Sequence, residues 1–486
     1  MSERQDFSMK LRQIAFQAIL EEDFIPELPT EVLAEVEELQ NISLAKLNSE
    51  TLDLRNMLWS SIDNEDSRDL DQVEVAEQLE NDEIRIRIGI ADVDAFVPKN
   101  SETDIYAGQN TTSVYTGVQT FPMLPRALSE DLTSLLEGKD RFAIVTDFVV
   151  AKDGSVKLNG IYRALVHNHA KLDYDSVGDF LDGKTEFSIK FPELEEQILL
   201  QDEASDRLRA VRMKEGALEF GTVEATTVRR DGEIYLIVKE KTQARYLIEN
   251  LMITANVLMA EFLEANKYPC LKRLVRRPER WQRIVQLAAD LGEQLPGEPS
   301  SIALAEFLER RRAADPIHFP DLSLSVVKLI GAGDYTVYEP GKPETEGHFG
   351  LAVSDYTHST APNRRYADLI TQRLVKAAIR NAPAPYSIEE LEEIAARCNE
   401  RQSAARKVER KMRKAIAAQV LSQRIGETFQ GIVTGVSQKG VFVRLLDPPA
   451  EGKIVANEIG ADVGDKVIVR LMKTDAENGF IDFERL

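Results

Sequence analysis

The C-terminal stretch constrains the fold most tightly. From Gly426 onward the chain passes through five short alternating segments, at 429–436, 440–445, 453–455, 466–472 and 479–483. Successive side chains of a strand point to opposite faces, so each segment offers one apolar and one polar side. Five such strands in so short a stretch suit a closed barrel of the OB type, which leaves no sheet edge unpaired. Upstream, Asn381-Ala-Pro-Ala-Pro-Tyr386 is punctuated as a linker, and 387–424 reads as one long basic helix.

The middle of the chain mixes both periods. Ile84-Arg85-Ile86-Arg87-Ile88-Gly89-Ile90 alternates strictly and predicts a strand, as does the apolar run 142–150. Residues 228–239 predict a hairpin turning at Asp231-Gly232. Apolar residues at helical spacing predict helices over 245–266, 278–291, 302–314 and 366–381, with two short ones at 9–21 and 28–39. The expected fold class is therefore α+β, divided as a helical segment 1–50, a large mixed domain 51–385, a basic helix or linker 386–424 and a barrel 425–486. Two cysteines, Cys270 and Cys398, cannot make a disulfide framework. The N-terminus lacks the apolar core of a leader, and no run of about 18 apolar residues is evident. A cytoplasmic, monomeric protein without a membrane span is the expectation.

A formal net charge of −22 argues against an anionic polymer as ligand. Binding follows local potential, however, and the charge is unevenly spread. The first fifty residues hold 11 acidic and 4 basic side chains, whereas 397–424 hold nine basic against two acidic. A second basic run includes Lys272, Arg273, Arg276 and Arg277. Solvated helix faces are the plainer explanation of such runs, but two of them keep nucleic acid in play.

Chemistry concentrates in Ser61-Ile-Asp63-Asn-Glu-Asp66-Ser-Arg-Asp69-Leu-Asp71-Gln72, with five acidic residues in nine positions. In an extended segment Asp69 and Asp71 share a face. Carboxylates so crowded repel one another unless a cation sits among them. Mg²⁺ takes hard oxygen ligands and keeps waters that a phosphate can replace. A solvated acidic loop is the plain alternative. A calcium loop is a sharper one, but Arg68 stands where such a loop needs glycine.

The cluster resembles the catalytic aspartate motif of the ribonuclease II and ribonuclease R (RNB) family. The resemblance continues in order through the block beginning Phe121-Pro-Met-Leu-Pro, Gly216-Ala-Leu-Glu-Phe220, Ile248-Glu249-Asn-Leu-Met252 and Tyr356-Thr-His-Ser-Thr-Ala-Pro-Asn-Arg364-Arg365-Tyr366-Ala-Asp368. Gly426-Glu-Thr-Phe-Gln-Gly431 followed by Lys439-Gly440-Val-Phe442 resembles the family's RNA-binding OB domain, first named from a ribosomal protein. The resemblance implies 3′→5′ hydrolysis of single-stranded RNA to nucleoside 5′-monophosphates, with Mg²⁺, or Mn²⁺ as the alternative ion.

It further implies roles for individual residues. Asp63, Asp69, Asp71 and Gln72 would hold metal, and Asp71 and Arg364 would be catalytic. Tyr174 and Phe220 would stack on terminal bases, and Glu249 would meet the terminal ribose. Arg365 would be structural or contact a backbone phosphate, and Lys407, Arg410, Lys411 and Lys414 of the basic run would contact RNA. His358 and Asp92 are expected to be structural, and an ion pair with Asp368 is the plain alternative for Arg364. The sequence departs from the family twice. Its motif ends Asp71-Gln72 where the family has two adjacent aspartates, so metal affinity is expected to fall, and a weakened or inactive RNA-binding relative becomes the alternative. Only about fifty residues stand where relatives carry two cold-shock barrels.

Overall fold

The computed structural model describes residues 3–41, 51–185, 191–221, 225–230, 233–238, 241–316, 318–342, 347–437 and 440–486. Helices α1 (Glu3–Glu21) and α2 (Thr30–Gln40) lead to strands β1 (Leu52–Asp53), β2 (Trp59–Asp63), β3 (Gln72–Gln78) and β4 (Ile84–Ala91). Helix α3 (Glu102–Asn110) and the small ladder of β5 (Val114–Tyr115) and β6 (Thr120–Phe121) precede β7 (Asp140–Val150) and the long β8 (Val156–Asp173). Next come α4 (Tyr174–Leu181), α5 (Glu193–Lys214), the hairpin β9 (Ala225–Arg230) and β10 (Glu233–Val238), and α6 (Gln243–Ala265). The expected turn at Asp231-Gly232 lies outside the described residues. Strand β11 (Cys270–Leu274), helices α7 (Trp281–Asp290), α8 (Ser301–Ala314) and α9 (Phe319–Ile330), strand β12 (Asp334–Tyr338) and helix α10 (Tyr366–Ile379) follow. Helix α11 (Ile388–Leu421) then joins β13 (Thr428–Ser437), β14 (Gly440–Leu445), β15 (Glu451–Ala456), β16 (Lys466–Asp475) and β17 (Phe480–Arg485).

The main sheet runs β1-β8-β2-β3-β4-β7, and β7 pairs back onto β8, so the sheet closes on itself. The strict alternation of β4 gives each face its own core. Ile84, Ile86, Ile88 and Ile90 pack with residues of α4, α5 and α6. On the opposite face Val73, Val75, Ala143 and Val145 pack with Trp59 and with Leu369 and Ile370 of α10. Arg85 and Arg87, between the isoleucines, both pair with Asp147. The C-terminal strands form the expected closed barrel, in the order β13-β14-β15-β17-β16.

The long basic helix expected over 387–424 forms as α11. Residues 386–424 are no linker: α11 buries Leu391, Ala395 and Cys398 in the main core and residues from Ala404 to Leu421 in the core it shares with the barrel. A capping box starts it, with Ser387 Oγ accepting from Glu390 N and Glu390 accepting from Ser387 N. The barrel turn at Gly479 docks on it so closely that a Cβ there would stand 2.7 Å from Lys414 Cβ. Leu11, Ala15, Ala18 and Ile19 of α1 enter the same core as α11 and the barrel. Among the described residues α6 is long and apolar enough to cross a membrane, a stretch the sequence reading passed over, and 67 % of that stretch is buried inside the protein, as in a core helix.

Candidate active site

Strand β2 ends at Asp63, and the loop that follows turns back to begin β3 at Gln72. Several bonds hold that loop in shape. Asp63 Oδ1 accepts from Asn64 N (2.7 Å) and Ser67 Oγ (2.8 Å). Lys171 Nζ donates to the carbonyls of Glu65 and Ser67 at 2.7 and 2.6 Å. Buried Leu70 anchors the loop between the two acids, its N–H donating to Ser134 Oγ at 2.9 Å. Asp63, Asp69, Asp71 and Gln72 thereby line one cavity of about 400 Å³, together with Tyr115, Tyr174, Arg245, Thr360 and Arg364.

Each acid has its own setting. Asp71 is 3 % exposed. Its Oδ1 accepts from Asn363 N at 3.0 Å, and Arg364 Nε stands 3.5 Å from its Oδ2. Burial dominates, and despite Arg364 and the Asn363 amide its carboxyl is pushed up to about 7. Burial also raises Asp63, against the hydrogen bonds of Asn64 and Ser67. Tyr115 Oη donates to Asp69 Oδ2 at 3.2 Å. Gln72 donates its amide nitrogen to Ile62 O at 3.2 Å and keeps one neutral oxygen. Two residues along β3 from Gln72, Glu74 is fully buried and lies outside the cavity lining, and burial followed by the charge of Asp63 holds it well above the carboxylate range.

Hard oxygen donors around a cavity, with one carboxyl driven toward neutrality, fit a divalent cation that keeps several waters. Among the described residues no three acidic, histidine or cysteine side chains converge tightly enough to enclose an ion by themselves. The donor set fits an open, water-rich site.

The remaining expected residues divide. Tyr174, first residue of α4, reaches the cavity with the Arg245 guanidinium 4.4 Å from its ring centre. Phe220 and Glu249 line a neighbouring cavity of about 160 Å³ instead, on the other flank of α6. There Glu249 pairs with Lys241. Arg364 does not pair with Asp368; Arg365 does, through a two-bond fork at 2.7 and 2.8 Å. That fork holds the loop to α10, in keeping with the structural of the two roles expected of Arg365. Lys407 and Lys411 face α1, pairing with Glu22 at 3.1 Å and Glu21 at 2.5 Å. Arg410 and Lys414 remain exposed. His358 is half-buried with its Nδ1 2.6 Å from Tyr335 Oη, and Asp92 is buried between Arg163 and Lys376. Sequence reasoning missed Tyr115, Arg245 and the Asn363 amide, none of which carries a local signal.

Residues 51–381 match the RNB domain family, and residues 427–486 match the RNase II-type exonuclease C-terminal S1 domain. The chain belongs to the RNB family. It is 28 % identical over 497 residues to Ribonuclease R 1 of Lactococcus lactis, covering 96 % of this chain and 60 % of that protein. Ribonuclease R of Aquifex aeolicus is 29 % identical over 508 residues, covering 98 % and 70 %. The chain thus spans about six tenths of the length of the Lactococcus relative. The fold matches Mycoplasma genitalium RNase R in complex with ribose methylated single-stranded RNA, with a TM-score of 0.87 at 23 % identity, over 97 % of this chain and 77 % of that one.

The pairing of Lys407 and Lys411 makes a measurable difference in this RNB protein. Neutralising Arg410 and Lys414 is expected to flatten the slope of log RNA affinity against log salt by about 1.4, at about 0.7 per phosphate contact on a single strand. Neutralising Lys407 and Lys411 should leave the slope unchanged. Equal slopes for the two double variants would return the whole helix to a single basic face.

Proposed function

We propose that this protein is a divalent-metal-dependent exoribonuclease that hydrolyses single-stranded RNA from its 3′ end and releases nucleoside 5′-monophosphates. The observation that carries the reading is the gathering of Asp63, Asp69, Asp71 and Arg364 around one cavity, inside an RNB domain. A cation held by the three aspartates, Mg²⁺ or Mn²⁺, would polarise the phosphodiester and lower the pKa of water. The protein's own groups do the positioning. Arg364 offers its guanidinium fork to a phosphate. Asp71, with Asn363 N holding one oxygen, presents the other toward the cavity side occupied by Arg364. Tyr174 offers a ring beside the aspartates, on which a terminal base can stack whatever its identity.

A 5′-labelled oligoribonucleotide incubated with Mg²⁺, with Mn²⁺ or with chelator tests the reading. A ladder shortening from the 3′ end, lost in chelator, is the expected result. Binding without any ladder in either metal would instead favour a second reading, an RNA-binding RNB scaffold without hydrolysis, for which the neutral Gln72 speaks.

Tyr174 gives a finer test. As RNA shortens, distant phosphate contacts vanish and the hold passes to stacking at about 1–3 kcal/mol per base. Tyr174→Ala is therefore expected to weaken short substrates by about 5- to 150-fold while long RNA is degraded nearly as before. The final fragment should lengthen. Were the ring only core packing, truncation would cost about 3–5 kcal/mol of stability, and activity on every length would fall with the melting temperature.

A further inference from the structure

Two of the side chains lining the aspartate cavity are cations, Arg364 and Arg245. Arg364 stands against Asp71, whereas Arg245 has no carboxylate partner among the described residues. Its Nη2 donates to Asn64 Oδ1 at 3.0 Å, and its guanidinium lies over one face of the Tyr174 ring, 4.4 Å from the centre. Asn64 and Tyr174 line the same cavity, so a neutral amide and a ring hold the group beside the aspartates. The acid one helical turn on, Glu249, is spaced to pair with residue 245 but pairs with Lys241 instead. Arg245 also stands in the first turn of α6, which holds no acidic residue. There the helix dipole disfavours a cation and favours an anion.

A methionine would cover the Tyr174 ring equally well without setting a charge against the helix dipole. Balancing the aspartates would bring Arg245 into an ion pair with one of them, and among the described residues no such pair forms. What its setting leaves is a half-buried, oriented guanidinium whose remaining N–H donors are uncommitted, the geometry that takes a phosphate by its planar fork. We propose that Arg245 is a second phosphate-binding group of this cavity, taking a phosphate other than the one that meets Arg364. That phosphate is either the neighbouring one of the strand or one carried on the 3′ end itself. The assignment rests on the reading of this cavity as the place where RNA is cut.

Binding of a short labelled oligoribonucleotide by the full chain, measured in chelator over a range of salt, tests it without reference to turnover. The RNA is made in two forms, one ending in a 3′-hydroxyl and one in a 3′-phosphate. Arg245→Gln is expected to weaken binding a few-fold and to flatten the slope of log affinity against log salt by about 0.7, the share of one phosphate contact. Arg245→Lys should keep the slope, because a phosphate accepts either charge. Equal flattening on both RNA forms assigns the neighbouring strand phosphate, and flattening confined to the second form assigns the terminal one. Should Arg245→Gln not fold, Arg245→Met, whose stem still packs on Tyr174, serves in the same comparison. An unchanged slope on both forms overturns the assignment, as does a flattening that lysine fails to restore, because Arg245 then only props the ring. A parent chain that binds RNA but shortens it in neither Mg²⁺ nor Mn²⁺ overturns the hydrolytic reading and leaves the contact to be decided by the slopes. A parent chain that binds neither RNA overturns both.

Discussion

Replacing Asp71 with asparagine is expected to cut hydrolysis about a thousandfold while leaving RNA affinity within about threefold. The amide keeps the shape, and it can still accept from Asn363 N, so the cavity wall should stand. What it loses is charge at the point where Arg364 and two further aspartates converge. On the proposed reading that loss falls on the chemical step, because stacking and phosphate contacts elsewhere would hold the RNA. A parallel fall in affinity and turnover would place Asp71 in substrate binding instead.

The same variant has a signature that needs no RNA. Asp71 ionises near 3.8 in the unfolded chain but keeps its proton to about 7 in the folded, metal-free protein. The stability associated with that neutral carboxyl is complete below 3.8 and is lost as pH rises through 7. Asparagine never ionises and so escapes the loss. In chelator, Asp71→Asn should therefore melt above the parent chain by a margin that widens from pH 5 to 7 and then levels off, corresponding to about 4 kcal/mol at most. Added Mn²⁺ should narrow or reverse the margin, because the parent chain gains a bound cation. A margin independent of pH would mean that Asp71 is not the buried, titrating group described above.

Periodicity made some elements legible and hid others. The isoleucines of β4 and the five barrel strands announce themselves because each has one buried and one open or ion-paired face. Strand β8 does not: its 18 residues pair with β7 early and with β2 late, and His167, Asn168 and His169 interrupt any simple alternation. Glu74 is hidden for a related reason. Gln72-Val-Glu74-Val-Ala-Glu77 reads as a strand with polar residues toward solvent, yet the helices over that face bury Gln72 and Glu74. The aspartates are close in sequence and could be grouped on sight. Arg364 came only with the family resemblance, and Tyr115 and Arg245 are brought in by packing alone. Counting charges located the basic helix, but which lysines meet α1 depends on a helix packed against it from the far end of the chain.

Arg364→Ala is expected to lower kcat by about 10²- to 10³-fold, the loss typical when one donor aimed at developing charge is removed. Its guanidinium stands 3.5 Å from Asp71 and its side chain is 49 % exposed, so it is tied to the fold mainly through its backbone, where its carbonyl accepts from Ser113 N at 3.0 Å. Truncation should therefore leave the melting temperature almost unchanged, whereas loss of Arg365, forked to buried Asp368, should lower it clearly. RNA affinity should fall by only a few-fold, about what one phosphate contact is worth. Lysine restores the charge but not the planar fork, so Arg364→Lys should recover only part of kcat. There is also a pH signature, because Arg364 is the strongest influence opposing burial at Asp71. Without it Asp71 holds its proton to higher pH, and the acid limb of metal-limited activity should move upward in Arg364→Ala but much less in Arg364→Lys. If affinity and kcat fall together with no movement of the pH profile, Arg364 holds the RNA strand and takes no part in the chemical step.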